Sequence, residues 1–255
     1  MIREISYTAV AMLLTVSLSG CKKILGNPEI EFNKITVNKT VAIDKSNNSP
    51  QCKVCLDIHQ ATNATSETGR NINSAIVKKI FDMEDIGVQE AADSFASLYT
   101  SEYLKNMEPL YRVDRHDSNK RPWYEYRYSV NTETRCNAKD ITNYLITLDY
   151  YEGGAHGIKQ LLTLNFDDNT GNILTLRDIY GNDYETRITE QLLQALLKKV
   201  DCKDTQQLRE HGYLYSMDMF IPENYIIGDD NITFIFNPYE IAPYSEGCIE
   251  LIIDR

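Results

Sequence analysis

The chain has 255 residues, of which 42% are hydrophobic and 25% are charged, so it can bury a sizeable core and is not expected to be disordered. Its length corresponds to one or two domains of ~150 residues each. Thirty-seven acidic residues against 26 basic ones give a net charge of -11, which opposes binding to nucleic acid and to anionic lipid headgroups and suits a basic protein partner.

The first 20 residues are typical of a bacterial lipoprotein signal peptide. Ala9 to Val16 is an apolar run that is too short for the ~20 residues that a membrane-spanning helix needs. It is followed by Leu18-Ser19-Gly20-Cys21, which resembles a lipobox. We therefore expect residues 1–20 to be removed, Cys21 to carry palmitate-type lipid, and residues 21–28 to tether the protein to a membrane, facing the periplasm. The alternative is a plain secretory signal with Cys21 as a structural thiol.

The remaining five cysteines would lie in an oxidising compartment, where disulfides persist. Cys52 and Cys55 form a CxxC pattern, but the surrounding QCKVCLDIH alternates like a strand, which puts the two side chains on opposite faces. They are therefore poorly placed to pair with each other or to share a metal. We predict one disulfide from Cys52 or Cys55 to Cys136 and another from Cys202 to Cys248, which leaves one thiol free.

The first half of the mature chain is predicted as a hairpin, two helices and two long strands. Alternating apolar residues predict strands in EIEFNKITVNKTVAID and around Cys52, joined by a Ser/Asn/Pro turn. Apolar residues at helical spacing predict helices over Ile72–Phe81 and Val88–Tyr103. Trp123–Val130 and Ile141–Tyr150 alternate again and predict two antiparallel strands.

The second half repeats this plan. Asn182 and Glu185 resemble a capping box for a helix over Ile188–Val200. Alternation and turn residues predict strands at Ile158–Phe166, Ile173–Leu176, Phe220–Ile227, Ile232–Asn237 and Cys248–Ile253. The whole pattern predicts an α+β fold with antiparallel sheets and helices packed on one face, in two sequential α+β domains over residues 29–138 and 139–255.

Several spaced motifs in residues 140–255 carry a resemblance to a known family. GGAHG, NFD-x-x-TG, L-x-D-(I/L)-(F/Y) and PYEIAPYxxG occur in that order. This part is similar to the RsiV-like C-terminal domain, an extracellular module shared by a lysozyme-sensing anti-sigma factor and certain peptidoglycan deacetylases. The preceding part, about residues 29–135, resembles the domain of unknown function that usually accompanies it. The resemblance implies a lysozyme-like muramidase or peptidoglycan as the partner. It implies neither signalling nor deacetylation, because the chain shows no anti-sigma segment and no deacetylase domain.

The best candidate site is YYEGGAHG at residues 150–157. Glu152 and His156 are residue types used in general acid/base catalysis, but a lone His without convergent ligands predicts no metal and no cofactor. The three glycines permit the backbone angles of a bulged hairpin corner, with His156 bracing the turn. The two prolines of PYEIAPY predict a rigid loop between strands, in which Glu240 either bonds to backbone amides or faces a ligand.

We therefore predict a non-catalytic envelope lipoprotein that acts as a binding module. The residues expected to face the partner are Tyr150, Tyr151, Glu152, His156, Tyr239, Glu240 and Tyr244. The alternative is a cell-wall glycan hydrolase or metal-dependent enzyme that uses His156 and Glu152.

Overall fold

The computed structural model describes residues 30–255, so the predicted signal peptide, tether and lipidated Cys21 lie outside the described part. The α+β class is confirmed. None of the helices described here is both long and apolar enough to cross a membrane. In chain order the elements are β1 (Phe32–Ala42), β2 (Gln51–Ala61), α1 (Glu67–Phe81), α2 (Val88–Asp114), β3 (Tyr126–Ala138), β4 (Ile141–Glu152), β5 (Ile158–Asp167), α3 (Leu176–Tyr180), α4 (Glu185–Val200), α5 (Thr205–Glu210), β6 (Asn224–Ile227), β7 (Asn231–Phe236) and β8 (Ile249–Asp254), with short 3-10 helices at Ser118–Tyr124 and Tyr244–Glu246.

The first sheet has the strand order β1-β2-β3-β4-β5, and α1 and α2 pack against it. All its pairs are antiparallel except β2 with β3, because the helical crossover brings β3 back in the direction of β2. Strand alternation sends Val54, Leu56 and Ile58 into the core against the helices. The predicted domain boundary between residues 138 and 139 falls at the turn from β3 to β4, inside this sheet.

The second sheet has the order β6-β7-β8, and α4 packs on β8. Its core joins the apolar stripe of α4, which includes Leu192 and Leu196, to Phe234 and Phe236 of β7, all fully buried. Helical spacing in α4 and alternation in β7 therefore create complementary apolar faces, as the sequence predicts.

The two sheets meet where the edge of β5 faces β6. Asn165 Oδ1 accepts hydrogen bonds from Ile227 N (3.1 Å) and Asn143 Nδ2 (2.8 Å), and Asn165 Nδ2 donates to Tyr225 O (2.9 Å). Asn143 Nδ2 also donates to Ile227 O at 3.0 Å. Side-chain amides thus replace the main-chain ladder that two adjacent strands would form.

Two further asparagines complete this contact. Asn224 Oδ1 accepts from Thr163 N (3.1 Å), and Thr163 Oγ1 accepts from Tyr225 N (2.8 Å). Asn237 pairs with the backbone of Leu161 twice, accepting from its N–H (2.7 Å) and donating to its C=O (3.0 Å). All four asparagines are buried. We call this set the asparagine seam: Asn143, Asn165, Asn224 and Asn237.

Two predicted strands differ from the structure because of neighbouring prolines. Ser118–Tyr124 is a 3-10 helix containing Pro122, so the strand predicted from Trp123 begins only at Tyr126. The strand predicted from Phe220 begins at Asn224, after Pro222. Proline lacks the N–H that a paired strand needs, and this delays both strands.

The segment after the turn at residues 167–171, DDNTG, also differs from the predicted strand Ile173–Leu176. Ile173 forms a single bridge with Phe166, and the chain then enters α3 at Leu176. A capping box is present there, between Thr175 and Asp178, because each side chain bonds the backbone N–H of the other residue. The capping box predicted for α4 is wrong, since its N-cap is Tyr184, which makes no side-chain cap bond.

Neither predicted disulfide is present, since Cys52, Cys55, Cys202 and Cys248 are free thiols. The β2–β3 register places Cys52 beside Tyr126 and Cys55 beside Ser129. Cys136 therefore lies roughly 33 Å and 23 Å further along β3 at ~3.3 Å per residue, far beyond disulfide reach.

The two cysteines of the second predicted disulfide, Cys202 and Cys248, contact different parts of the fold. Cys202 Sγ lies 3.2 Å from Nδ1 of His211, near the end of α4. Cys248 Sγ lies against Asn237 Oδ1, 3.7 Å away, before β8. The two thiols therefore have different neighbours in the fold.

We expect Asn165→Ala to lower the free energy of unfolding by about 3 kcal/mol. The substitution leaves Ile227 N–H, Tyr225 C=O and one Asn143 amide bond without their partner, and each unsatisfied buried group costs ~1–3 kcal/mol. Urea denaturation measures the effect. The control Asn38→Ala, at an exposed position of β1, is expected to change stability by less than ~0.5 kcal/mol. Equal effects of the two substitutions would contradict a structural role for the seam.

We also expect acid to destabilise the protein through His59. Burial lowers the pKa of this side chain below its usual value of 6.5, so the unfolded chain takes up its proton at a higher pH than the folded chain does. The free energy of unfolding is therefore retained above about pH 6.5. Below that pH it falls by up to about 1.4 kcal/mol per pH unit. Denaturation at about pH 7 and pH 5.5 should show this loss, and His59→Gln should reduce it; an unchanged loss would contradict the assignment.

Candidate functional site

The two motif loops that the sequence singles out meet in the structure. The His156 ring stacks on Tyr244 with 4.7 Å between centroids, and the Tyr239 ring lies 5.5 Å from that of Tyr244. His156 Nδ1 is 3.0 Å from Gly157 O, and Nε2 is 3.4 Å from the Tyr239 hydroxyl. Tyr244 also donates to Gly157 O at 3.2 Å. We call His156, Tyr239 and Tyr244 the aromatic corner.

The first loop is the connection between β4 and β5. Gly153 and Gly154 have φ of 80° and 98°, in the region that side chains obstruct. A Cβ atom on Gly153 would lie 2.6 Å from the carbonyl oxygen of Trp123, so the loop packs closely on the 3-10 helix. The hairpin is confirmed, but the predicted bulge is wrong, because β4 and β5 pair without a register shift from Ile141 to Tyr150. The connection between β4 and β5 is therefore an open loop.

The second loop begins with a tight turn over residues 237–240. Pro238 precedes Tyr239, which has a φ of 74°, and Glu240 N donates to Asn237 O at 3.0 Å. These are features of a type II turn, which normally has glycine where Tyr239 lies. Holding a bulky side chain in this region costs on the order of 1 kcal/mol. Yet 62% of Tyr239 is exposed.

Glu240 stabilises that turn through a backbone amide. Its Oε2 accepts from Asn237 N at 2.8 Å, the first of the two roles that the sequence leaves open. Burial raises the pKa of Glu240, and the bond from Asn237 opposes the rise. Because Asn237 also pairs with β5 through its side chain, the turn is fixed to the first sheet.

The other predicted residues are not all at the corner. Tyr150 stacks on Tyr128, with ring centroids 5.8 Å apart, in an aromatic row that continues to α2. Glu152 Oε1 accepts a 2.7 Å hydrogen bond from Tyr99 of α2. Tyr151 donates instead to Gly154 O at 2.9 Å, within the loop. Tyr150 and Glu152 therefore brace β4 against α2, whereas Tyr151 supports the loop.

One exposed aromatic residue beside the loop is not among the residues predicted from the sequence to face a partner. Trp123 is 59% exposed, and its backbone contacts Gly153. Tyr151 also approaches this segment, with its hydroxyl 3.3 Å from Pro122 O. Strand alternation predicts that Trp123 lies in a sheet. Trp123 is, however, the single Trp of the chain and directly follows Pro122. Its place after a proline is the sequence signal that could have identified it as an exposed residue outside the sheet.

The arrangement contains neither a joined acid/base pair nor a metal cluster. Glu152 is bonded to Tyr99, whereas His156 is bonded within the corner. Among residues 30–255, no group of three or more His, Cys, Asp and Glu side chains is placed to hold a metal ion. Four cavities of about 460, 440, 260 and 250 Å³ are lined by other residues. The corner is an exposed aromatic surface.

Comparison with known proteins agrees with this fold. Residues 177–255 match the family model described as "Protein of unknown function (DUF3298)". No curated protein matches the chain significantly. A crystal structure of a DUF3298 family member from Bacteroides fragilis is similar, with 26% identity and a TM-score of 0.80, covering 94% of this chain and 92% of that chain. A DUF3298 family protein from Pseudomonas aeruginosa shares the fold at 15% identity and a TM-score of 0.62, covering 89% of this chain and 91% of that chain.

The matched segment contains the second motif loop but not the first. Tyr239 and Tyr244 lie inside residues 177–255, whereas His156 lies outside them on the β4–β5 loop. Two crystal structures with this fold extend over nearly the whole described chain. The chain thus carries a DUF3298 domain at residues 177–255, within a fold shared with DUF3298 family proteins.

Proposed function

We propose that the protein is a non-catalytic binding module of the cell envelope that recognises a partner protein through the aromatic corner and neighbouring Trp123. One observation carries the proposal: Tyr239 is held in a left-handed conformation, where glycine would cost less, and its ring remains exposed. Backbone outliers of this kind occur preferentially at functional sites. An exposed ring maintained at this cost is well explained by recognition.

The corner is also suited to binding because it is already ordered. The Asn237 side chain bonds the turn at residues 237–240 to β5, and the Glu240 carboxylate accepts a bond from Asn237 N within the turn. The His156 ring is held by stacking and by both of its nitrogens. Rigid aromatic side chains lose little conformational entropy on binding, and Tyr and Trp are enriched among residues that dominate interface energies.

Charge favours a basic partner. The net charge of -11 speeds encounter with a cationic protein. The resemblance of the motifs to a lysozyme-sensing module makes a lysozyme-like muramidase the proposed partner. Peptidoglycan is the second candidate from the same resemblance, but its peptide stems carry carboxylates, which an acidic chain repels.

A hydrolase using Glu152 and His156 is less well supported. A general acid/base pair must reach the same substrate, but Glu152 Oε1 is occupied by Tyr99, and both ring nitrogens of His156 have partners within the corner. The four cavities described above also lie elsewhere.

We expect Tyr239→Gly to weaken binding to a basic lysozyme by roughly tenfold or more while leaving the chain folded. Glycine removes the interface ring and relieves the positive φ, and this relief offsets the loss of the ring's contacts with Tyr244 and His156. Isothermal titration measures the dissociation constant, and urea denaturation measures stability.

The matched control is Val113→Ala, which truncates an apolar side chain that is 81% exposed on α2 and should leave affinity unchanged. Titration with peptidoglycan fragments forms the second arm. Binding of fragments alone would replace the muramidase by glycan as the partner. Absence of binding to either would refute the proposal, and fragment hydrolysis abolished by Glu152→Gln would favour the enzyme instead.

We further propose that lipid on Cys21 holds the module at the membrane, facing the periplasm. The lipobox pattern Leu18-Ser19-Gly20-Cys21 supports this. Cys21→Ala should move the protein from the membrane fraction to the soluble fraction, and mass spectrometry of the wild type should find acylated Cys21 at the mature N-terminus. An unmodified Cys21, or retention of the variant in the membrane fraction, would contradict the anchor.

A further inference from the structure

The sheet edges differ in how they are protected. The backbone of β5 is bonded by Asn237 and Asn224 of the asparagine seam, and β6, only four residues long, lies against β5. The edge strand β1 carries Lys34 and Lys39, and charged side chains on edge strands discourage pairing with another chain.

In the part of the chain that the structure describes, the edge formed by β8 has neither a strand nor a side chain bonded along it, and its only charged residues are the acids Glu250 and Asp254. Its sequence, IELIID, contains no Lys, Pro or Gly, and it pairs with β7 without a register shift over residues 249–254. Among residues 30–255, no strand or side chain bonds to the outer edge of β8. An edge strand leaves alternate N–H and C=O groups free to pair with a further strand.

The solvent face of β8 has a defined chemistry. Glu250, Ile252 and Asp254 alternate on it, and Ile252 is 61% exposed. Neither acid forms an ion pair within the described part of the chain. Arg135, whose pKa Glu250 helps to raise, is instead paired with Glu133 at 2.8 Å. The edge therefore offers two acidic positions around one apolar position.

We propose that β8 is a strand-addition surface that takes an extended basic segment of a partner protein. Main-chain hydrogen bonds to the free edge would supply affinity. Lys or Arg residues opposite Glu250 and Asp254, with an apolar residue opposite Ile252, would supply specificity through cross-strand pairs. This surface does not depend on the aromatic corner, so either can fail without the other.

A second copy of the chain fits this edge poorly. Antiparallel pairing of two β8 strands centred on Ile252 would place Glu250 of one copy opposite Asp254 of the other. Like charges directly opposite each other destabilise a strand pair, so the edge favours a basic strand over its own.

The test uses the mature chain and a labelled nine-residue peptide, acetyl-Lys-Thr-Lys-Thr-Val-Thr-Lys-Thr-Lys-amide, with fluorescence anisotropy as the measurement. We expect saturable binding that weakens roughly five- to tenfold in the double variant Glu250→Lys/Asp254→Lys. The charge-reversed peptide, with Glu in place of Lys, should bind that variant better than it binds the wild type. Glu90→Lys/Glu102→Lys, which makes the same charge change on exposed positions of α2, should leave binding unchanged.

A peptide N-methylated at alternate residues separates strand addition from simple charge attraction, because it keeps the charges and cannot form the ladder. It should not bind. Equal binding of the methylated peptide, an equal effect of the α2 variant, or no binding of the parent peptide would each overturn the proposal. A dimer in sedimentation analysis that Ile252→Lys dissociates would assign the edge to a second copy instead.

Discussion

The edge of β5 is the constraint on which the rest of the fold depends. A strand edge buried against another layer must satisfy its N–H and C=O groups, because an orphaned buried group costs about as much as a lost hydrogen bond. Here β6 approaches without forming a continuous ladder, and buried asparagines satisfy the groups. An amide side chain carries both a donor and an acceptor, so Asn237 can serve both groups of Leu161.

This arrangement also determines where the candidate site lies. Asn237 is the last residue before the Pro238–Glu240 segment, so the bond that closes the sheet edge also fixes the turn that presents Tyr239. The β4–β5 loop emerges from the same strand and brings His156 to meet it. The corner is therefore built where the two layers join, and its geometry follows from their attachment.

Sequence patterns predict the parts of this structure that depend on local periodicity. The apolar stripes of α1, α2 and α4 and the alternation in most strands locate these elements, because burial on one face imposes that spacing. Their ends are predicted less well, since α2 continues past Tyr103 to Asp114 and β3 continues past Val130 to Ala138. The corner could not be predicted by spacing, since His156 and Tyr239 are far apart in sequence and meet only through packing.

The same limit explains the errors. The disulfide predictions rest on composition and compartment, whereas the parallel register of β2 with β3 carries Cys52 far from Cys136. The asparagines of the seam give no sequence signal, because Asn is also common in turns and only its burial reveals the role. Trp123 follows an alternating pattern, but Pro122 places it in a 3-10 helix.

The asparagine seam has a consequence for how the matched segment relates to the unit that folds. Residues 177–255 include β6, β7 and β8, but the backbone of β6 bonds to Thr163 and Asn165, which precede that segment. A gene fragment limited to the family segment would lose these partners and expose the apolar side of β6 to self-association. The stretch recognised by sequence similarity is thus shorter than the unit that folds, and truncated proteins or domain transplants should begin upstream of β4.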